Sequence, residues 1–381
     1  MSETAISREY VGQENHLNEL DVMKGIGIIC AVMDHAGIPN FFFYPFEVSL
    51  FYLIGGYCFN IERCSSIERL MSYIGRQGKR LYVPLILWNV MFILLNNVFM
   101  NTGIYTDNPF FLKSNIVENQ FGLDAYLSLS ETMKQIFKVL LLMDTAKICG
   151  MSWFIRALIV IKMGYAVVSF IVYKIKANIV SFQLIFSVGV VAGMLIVIHW
   201  HPLPYSIVSI IEYYMMFSVG NVLRNKVGFL RPDKILTIIS TVIIIINAIV
   251  QYKLSYSVTV LQVLSYLMAS IAAFYLSWMI ATIISNHGLK IVKIVNGGVS
   301  YVGLHTMPII FLQFFSFKLV TWIEVQVYNL PHYCLASFPI IKMGLAWSFV
   351  LLIAGILIPL ALDCAYGFLR KTIWRMRSNE W

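Results

Sequence analysis

Lys24 and His35 are the residues of this sequence whose types and spacing best suit chemistry, because both lie inside one apolar segment of membrane length. Ionisable side chains are costly in hydrocarbon, and those that occur there usually serve a function. Histidine exchanges protons near neutral pH, so His35 is a candidate general base or nucleophile. Asp34 directly precedes it and could assist if the helix ends there, as Gly37 and Pro39 predict.

The spacing of eleven residues would place both side chains on nearly the same helix face, about 16 Å apart along the axis. A cation near the cytoplasmic side and an imidazole deeper in the membrane suit a long substrate that has an anionic end and a reactive end. A purely structural alternative stays open, in which the Lys24 ammonium snorkels to the interface and the His35 imidazole hydrogen-bonds a neighbouring helix.

The composition indicates an integral membrane protein. Of the 381 residues, 59% are hydrophobic and 12% are charged, whereas soluble domains carry about 25% charged residues. The net charge of +9 does not indicate a nucleic-acid partner, because the basic residues fall in the gaps between apolar segments. The six cysteines form no CxxC pair, and His199 and His201 have no carboxylate or cysteine nearby in the sequence. Neither a disulfide framework nor a metal site is therefore predicted.

The predicted fold class is all-α, a polytopic membrane bundle of about ten transmembrane helices, each of which needs about 20 apolar residues. The candidate spans are 20–38, 41–60, 81–100, 152–173, 179–199, 205–223, 235–251, 258–285, 299–323 and 339–368. Basic residues concentrate in alternate loops, so the positive-inside rule predicts that both termini are cytoplasmic.

Three regions follow from this distribution of apolar segments. A cytoplasmic N-terminal segment is expected over 1–19, a transmembrane domain over 20–368 and a basic cytoplasmic tail over 369–381. The transmembrane domain includes an outer loop near 101–150. In that loop the stretch 136–145 is apolar but too short to span, which predicts an interfacial or re-entrant helix.

Several segments carry a family resemblance. The first is LDVMKGIGIICAVMDHAG (20–37), which resembles the opening of acyltransferase family 3, the membrane-bound O-acetyltransferases of cell-surface polysaccharides. That family opens with a basic residue, ten intervening residues and a histidine. Lys24 and His35 match this spacing, with lysine where arginine is common. LFYLIGGYCF (50–59) is similar to the aromatic run that follows, with Gly55 where serine is usual.

Four later segments continue the resemblance in the family's order, over about 300 residues in all. They are RQGKRLYVP (76–84), SWFIRALI (152–159), YYMMFSVGNVLR (213–224) and VGLHTMPIIFLQ (302–313). In the last of these, Gln313 occupies the position of a closing histidine, so no second histidine is available there.

The resemblance implies an acyl-CoA-dependent O-acetyltransferase. Acetyl-CoA from the cytosol would be the donor, and a hydroxyl of a cell-surface or capsular glycan, or of its lipid-linked precursor, would be the acceptor. Because acyl-CoA is strongly anionic, Arg76, Lys79 and Arg80 are candidate phosphate contacts, with Lys24 at the inner end of the thioester arm. His35 would act as general base, or would take the acetyl group transiently as nucleophile.

Further residues could bind substrate or stabilise the negative charge that develops on the attacked carbonyl. Trp153, Arg156 and His305 could donate hydrogen bonds there, although Arg156 is predicted near the outer end of its span and His305 near the inner half of another. Arg156 could equally pair with a carboxylate for structure alone. Glu47, which also lies in an apolar segment, could orient His35.

Two other functions are compatible with the same membrane architecture. A transporter or exporter of an acyl or glycan substrate would use His35 as a proton relay, but many transporter folds contain repeats and none is visible in this sequence. A glycan polymerase or ligase normally carries arginines in a large outer loop, whereas 101–150 contains no arginine. The expected partners are acetyl-CoA, a glycan acceptor and membrane lipids. The expected location is a cell membrane, in particular the bacterial cytoplasmic membrane.

Overall fold

The computed structural model describes residues 3–39, 42–118, 121–201, 203–227, 231–254 and 259–378. Over these residues the protein is helical, with 81% of its residues in helices and no β-strand. An isolated antiparallel bridge pairs Val117 with Ile341. The all-α class predicted from the sequence is therefore confirmed.

The described residues form fourteen α-helices, numbered in chain order. They are α1 Glu3–His35, α2 Val48–Tyr57, α3 Ile67–Gln77, α4 Val83–Leu94, α5 Asn96–Asn101, α6 Leu129–Leu140, α7 Trp153–Lys174, α8 Ile179–Trp200, α9 Tyr205–Val222, α10 Lys234–Leu254, α11 Val260–Asn286, α12 Lys290–Leu304, α13 Thr306–Val327 and α14 Leu345–Ser378. A π-helix, Gly78–Tyr82, joins α3 to α4, and a 3₁₀ turn, Lys147–Ser152, leads into α7.

Seven helical stretches among the described residues are long and apolar enough to cross a membrane. They are Lys147–Lys174, Ile179–Trp200, Tyr205–Val227, Lys234–Leu254, Val260–Asn286, Thr306–Val327 and Leu345–Lys371. These helices support a multi-pass membrane protein. The larger number of about ten spans and the cytoplasmic position of both termini remain predictions.

Two of the predicted spans near the N-terminus are interrupted. The segment 41–60 contains only α2 as an α-helix, whose 10 residues extend over about 15 Å and so fall short of a bilayer core of about 30 Å. The segment 81–100 divides at Leu95 into α4 and α5. The Asn96 and Asn97 side chains donate to backbone carbonyls of residues 125 and 127 at 3.0 and 2.9 Å, which fixes the start of α5.

Local sequence features set where two other helices begin: a proline for α13 and a capping box for α6. The predicted span 299–323 divides at His305, because Pro308 in the first turn of α13 has no N–H with which to continue α12. The helix expected over 136–145 is α6, which starts earlier at Leu129. A capping box between Ser128 and Glu131 sets that start, and the hydrogen bonds from Ser128 lower the pKa of the Glu131 carboxyl.

The chain folds as two compact units, each built from segments that are separate in sequence. Of the described residues, those within 1–31, 40–82 and 154–304 form the first unit, and those within 32–39, 83–153 and 305–381 form the second.

In the first unit, α2 and α9 pack backbone to backbone. A Cβ added to Gly56 would lie 1.9 Å from the carbonyl oxygen of Phe217, and a Cβ added to Gly220 would lie 2.1 Å from that of Leu53. The buried Asn221 side chain then donates to the carbonyls of residues 56 and 59 at 3.2 and 3.0 Å. The glycines of the two segments 50–59 and 213–224 therefore serve close helix packing.

In the second unit, α13 packs along α14 and against the 3₁₀ turn before α7. The buried Asn89 side chain ties that turn to α4, donating to Ser152 at 3.2 Å and accepting from the backbone N–H of Ala146 at 2.6 Å. An ion pair of 2.8 Å between Lys147 and Asp124 holds the preceding loop. The turn that carries Gly150 and leads into α7 at Trp153 is thus fixed by polar contacts with little exposure to solvent.

Candidate active site

His35 is the last residue of α1 and belongs to the second unit. The helix stops there because Gly37 has a φ of 75°, a left-handed conformation that glycine adopts readily. The N–H of Ile38 also bonds back to the carbonyl of Met33 at 3.0 Å. The predicted helix end is therefore confirmed. His35 is half-buried, and Asp34 beside it is exposed.

The His35 ring packs against an aromatic row in the second unit. It lies edge-on to Phe314 of α13, with ring centroids 5.1 Å apart. Phe314 contacts Phe338 at a centroid distance of 4.7 Å, and Gly150 is close enough that an added Cβ would lie 3.1 Å from the Phe314 ring. Phe314 is therefore held in place by its own neighbours and can fix the orientation of the imidazole. No spacing in the sequence identified Phe314 for this position.

Lys24 lies in the first unit and has a carboxylate partner one helical turn away. Its Nζ is 2.8 Å from Oδ1 of Asp21, and the two side chains are 28% and 17% exposed. The helices α1 and α12 cross closely at this point, since a Cβ added to Gly303 would lie 1.8 Å from the carbonyl oxygen of Asp21. The predicted cation is thus present at a tightly packed helix crossing, but it is paired.

The predicted phosphate contacts lie where α3 passes into the π-helix. Arg76 stands in the last turn of α3, and Lys79 and Arg80 lie within Gly78–Tyr82. All three side chains are exposed, and the Arg76 guanidinium donates to Ser72 at 2.9 Å. Short π-helical segments often occur at functional sites. The three cations can therefore reach an anion in solution.

A cleft of about 370 Å³ lies alongside α3 in the first unit. Its lining consists of Asn60, Glu62, Arg63, Glu68, Arg69, Ser72 and Arg76. Three guanidinium groups and two carboxylates thus share a single cleft. Arg76 was predicted as a phosphate contact from its loop, but Arg63 and Arg69 were not, because sequence alone does not show that they line one cleft with it.

The surroundings of Glu68 and Cys64, beside this cleft, determine their protonation states at neutral pH. Hydrogen bonds from the Ser66 side chain and from the backbone lower the pKa of the Glu68 carboxyl. Burial raises the pKa of the Cys64 thiol to about 11, against an opposing effect of Arg63. At neutral pH Glu68 is therefore an anion, Cys64 is a neutral thiol, and the positive charge of the cleft comes from its arginines.

Lys162 was not identified from the sequence, although it lies in the middle of a predicted span. Its Nζ donates to Oε1 of Gln77, the last residue of α3, at 3.2 Å. The charges of Arg80, Arg63 and Lys24 all act on its ammonium group. The structure therefore gathers four cations in the first unit. The signal that could have revealed Lys162 is the one that revealed Lys24, an ionisable side chain inside an apolar segment.

The remaining candidates are divided between the units. Trp153 and His305 belong to the second unit, and Arg156 and Glu47 to the first. His305 lies in the gap between α12 and α13, rather than within a span, and its Nε2 is 4.0 Å from a carboxylate oxygen of Asp363. Contributions of Trp153, Arg156 or His305 at the reacting carbonyl, and an orienting role of Glu47, remain predictions.

Gln313, at the position of the family's closing histidine, is fully buried in α13 beside Phe314. Neither the oxygen nor the nitrogen of its amide has a hydrogen-bond partner among the described residues. A buried amide of this kind can hydrogen-bond a polar group that enters the protein. An amide cannot act as a general base, so Gln313 does not replace a histidine in that role.

The comparisons with known proteins support the family resemblance. The family model described as an acyltransferase domain, that of acyltransferase family 3, matches residues 17–364. This range contains both Lys24 and His35, the arginine-lined cleft and Lys162. The comparisons with curated proteins and with solved structures found no match.

Proposed function

Since this chain belongs to acyltransferase family 3, we propose that it is an integral-membrane O-acetyltransferase. It transfers an acetyl group from cytosolic acetyl-CoA to a hydroxyl of a cell-surface glycan, or of the lipid-linked precursor of that glycan. The observation that carries the proposal is the family match over 17–364, within which His35 ends α1 as a half-buried imidazole against Phe314.

His35 supplies the proton transfer in this reaction. As general base it accepts the proton of the acceptor hydroxyl while the oxygen attacks the thioester carbonyl. The carbon–sulfur bond then breaks, the acetyl group stays on the acceptor oxygen, and the thiolate of coenzyme A takes up the proton. In the alternative route the His35 imidazole attacks the thioester carbonyl and displaces the thiolate of coenzyme A, and it carries the acetyl group until the acceptor hydroxyl displaces it. Both routes need the imidazole and leave the protein unchanged.

The donor is proposed to bind through the cations of the first unit. Acetyl-CoA carries its negative charge on phosphate groups, and Arg and Lys side chains pair with phosphate oxygens by charge-assisted hydrogen bonds. Arg76, Lys79 and Arg80 are exposed on the α3 and π-helix segment, and Lys24 is half-buried in α1. Acetyl-CoA is made in the cytosol, so this segment is proposed to face the cytoplasm of a bacterial cell.

The acceptor is proposed to be a polysaccharide of the cell envelope, such as a capsule. Its support is the class of enzyme to which the resemblance points, together with a chain that is largely membrane helix. Buried polar groups such as the Gln313 amide could hydrogen-bond sugar hydroxyls that reach the second unit.

Transfer of label from radiolabelled acetyl-CoA by the purified protein in detergent tests the proposal. Wild type should release label to water or to an added glycan, whereas His35→Ala should not. His199→Ala is the matched control, because His199 is an exposed histidine with its ring against Trp200. If His35→Ala transfers label at the wild-type rate, the role of His35 is wrong. If substrate crosses vesicles without any acetylated product, the transporter alternative is correct.

A further inference from the structure

Lys162 is a lysine inside an apolar helix, and other cations lie around it. It lies in the middle of α7, within a stretch apolar enough to span a membrane. Its Nζ donates to Gln77 at 3.2 Å, which places the ammonium group against the end of α3. The next residues are those of the π-helix that carries Arg80. Lys162 therefore belongs to the same surface as the proposed phosphate contacts.

The four cations around this point repel one another. The charges of Arg80, Arg63 and Lys24 act on the half-buried Lys162, and like charges repel one another. Asp21 offsets the charge of Lys24, and Gln77 offers Lys162 only a neutral oxygen. A bound polyanion would remove the remaining repulsion. The cluster is therefore suited to an anionic ligand with more than one charge.

Arg63 also lines the cleft beside α3, so two cationic patches share this residue. Its guanidinium lies 5.7 Å from the centre of the Tyr73 ring, and Arg69 and Arg76 complete the basic lining of the cleft. Ser66 caps the start of α3 by accepting from the backbone N–H of residue 69 at 3.3 Å. One patch is thus partly buried around Lys162, and the second is open to solvent.

Coenzyme A has two separate anionic groups, a diphosphate in its middle and a 3′-phosphate on its ribose. We propose that Lys162, with Arg63 and Arg80, binds the diphosphate, and that Arg69 in the cleft binds the 3′-phosphate. This inference rests on acetyl-CoA being the donor. It adds Lys162, Arg63 and Arg69 to the donor site and gives the two patches different ligand groups.

A series of ligands that differ in these groups tests the assignment without any acetyl transfer. Displacement of radiolabelled acetyl-CoA from the purified full-length protein measures the binding of three ligands. They are coenzyme A, dephospho-coenzyme A, which lacks the 3′-phosphate, and pantetheine, which lacks both groups. Wild type should bind coenzyme A at least fivefold more tightly than dephospho-coenzyme A, and pantetheine more weakly still.

The cleft variant Arg69→Gln should act on one ligand only. Its affinity for coenzyme A should fall about fivefold, to that of dephospho-coenzyme A, because it loses a charge-assisted contact that only coenzyme A can make. Its affinity for dephospho-coenzyme A should not change. Arg231→Gln, an exposed arginine of the same unit, is the matched control and should leave both affinities unchanged. Equal losses for both ligands in Arg69→Gln would overturn the assignment of the cleft.

The variant Lys162→Met should weaken both nucleotide ligands about tenfold, which corresponds to about 1.4 kcal/mol, because both contain the diphosphate. Lys162→Arg should restore much of the affinity. Lys162→Gln, which can keep a polar contact with Gln77, serves if the methionine variant fails to fold, and Lys253→Met is the exposed lysine control. Unchanged affinities in folded Lys162→Met or Lys162→Gln would overturn the role of Lys162.

Cys58 offers a second readout. Its side chain is exposed, and it lies close enough to Lys162 for the two groups to interact. Bound coenzyme A should therefore slow alkylation of Cys58 by N-ethylmaleimide at least fivefold, whereas pantetheine should not. The exposed Cys364 of the second unit is the internal reference. Alkylation of Cys58 at an unchanged rate under saturating coenzyme A would contradict the proposed site.

These outcomes separate the inference from the proposed function. If wild type binds coenzyme A but the variants do not discriminate among the ligands, only the assignment of the two patches is wrong. If wild type binds none of the three ligands, acetyl-CoA is not the donor, and both proposals are wrong.

Discussion

The contact between His35 and Phe314 predicts how much activity depends on the orientation of the imidazole. Replacing Phe314 by leucine keeps an apolar side chain in the core but removes the aromatic edge on which the His35 ring rests, at a centroid distance of 5.1 Å. Edge-to-face aromatic contacts contribute about 0.5–1.5 kcal/mol beyond their buried area. If this energy holds the imidazole in its reactive orientation, kcat should fall about two- to twelvefold in Phe314→Leu.

The assay is the initial rate of acetyl transfer at varied acetyl-CoA in membranes that contain equal amounts of protein. We expect kcat to fall while KM for acetyl-CoA stays unchanged, because the proposed donor contacts lie on other side chains. Phe92→Leu is the matched control, since Phe92 is also buried in the second unit and its ring contacts are with Trp88, Phe99 and Phe315.

Thermal unfolding of both variants separates positioning from general loss of packing. Comparable losses of stability in the two variants, with a lower kcat only in Phe314→Leu, would show that Phe314 acts through His35. A kcat in Phe314→Leu equal to that of wild type would refute the reasoning, as would an equal fall of kcat in Phe92→Leu.

Two further predictions concern stability. Gly56→Ala should lower the thermal unfolding temperature markedly, because its Cβ would lie 1.9 Å from the carbonyl oxygen of Phe217. Gly164→Ala, with no atom within 4 Å of the new Cβ, should raise this temperature slightly. Equal effects of the two substitutions would contradict this account of the α2–α9 contact. Asp124→Asn should destabilise the second unit by about 3 kcal/mol, because the substitution removes the partner of Lys147 and both side chains of the pair are only 12% exposed. An unchanged midpoint of denaturant unfolding would show that the pair contributes nothing to stability.

The features predicted best are those that depend on local sequence. The end of α1 after His35 follows from a glycine that takes a positive φ, and such a requirement can be read from a few residues. The pairing of Lys24 with Asp21 was not predicted, although residues three apart on a helix are neighbours and the signal was present. Local rules thus suffice for α1, provided that they are applied to its charges as well as to its apolar face.

Hydropathy predicted the class of the protein but not the integrity of every span. The segment 41–60 is predominantly apolar, yet only Val48–Tyr57 is α-helical after the turn at Pro45. Apolar composition fixes where a segment lies in the membrane, whereas prolines and polar side chains fix where its helix breaks. The division at His305 has the same origin, since Pro308 interrupts the hydrogen bonds between α12 and α13.

The contacts that assemble the candidate site join segments that are distant in sequence. Phe314 reaches His35 from almost 280 residues away along the chain, and Lys162 meets the end of α3 through Gln77. No local pattern encodes these contacts, because they depend on how separate helices pack. The cleft that unites Arg63 and Arg69 with Arg76 is likewise a product of tertiary structure.

The central claim is that His35 is the residue through which this protein acetylates a glycan. The most direct test measures the O-acetyl content of the cell-envelope glycans, by nuclear magnetic resonance of the extracted polysaccharide, in cells whose own copy of the gene is deleted. Wild-type protein should restore acetylation, and His35→Ala, present in the membrane at the same level, should leave it at the level of the deletion strain. Acetylation restored equally by His35→Ala would contradict the account.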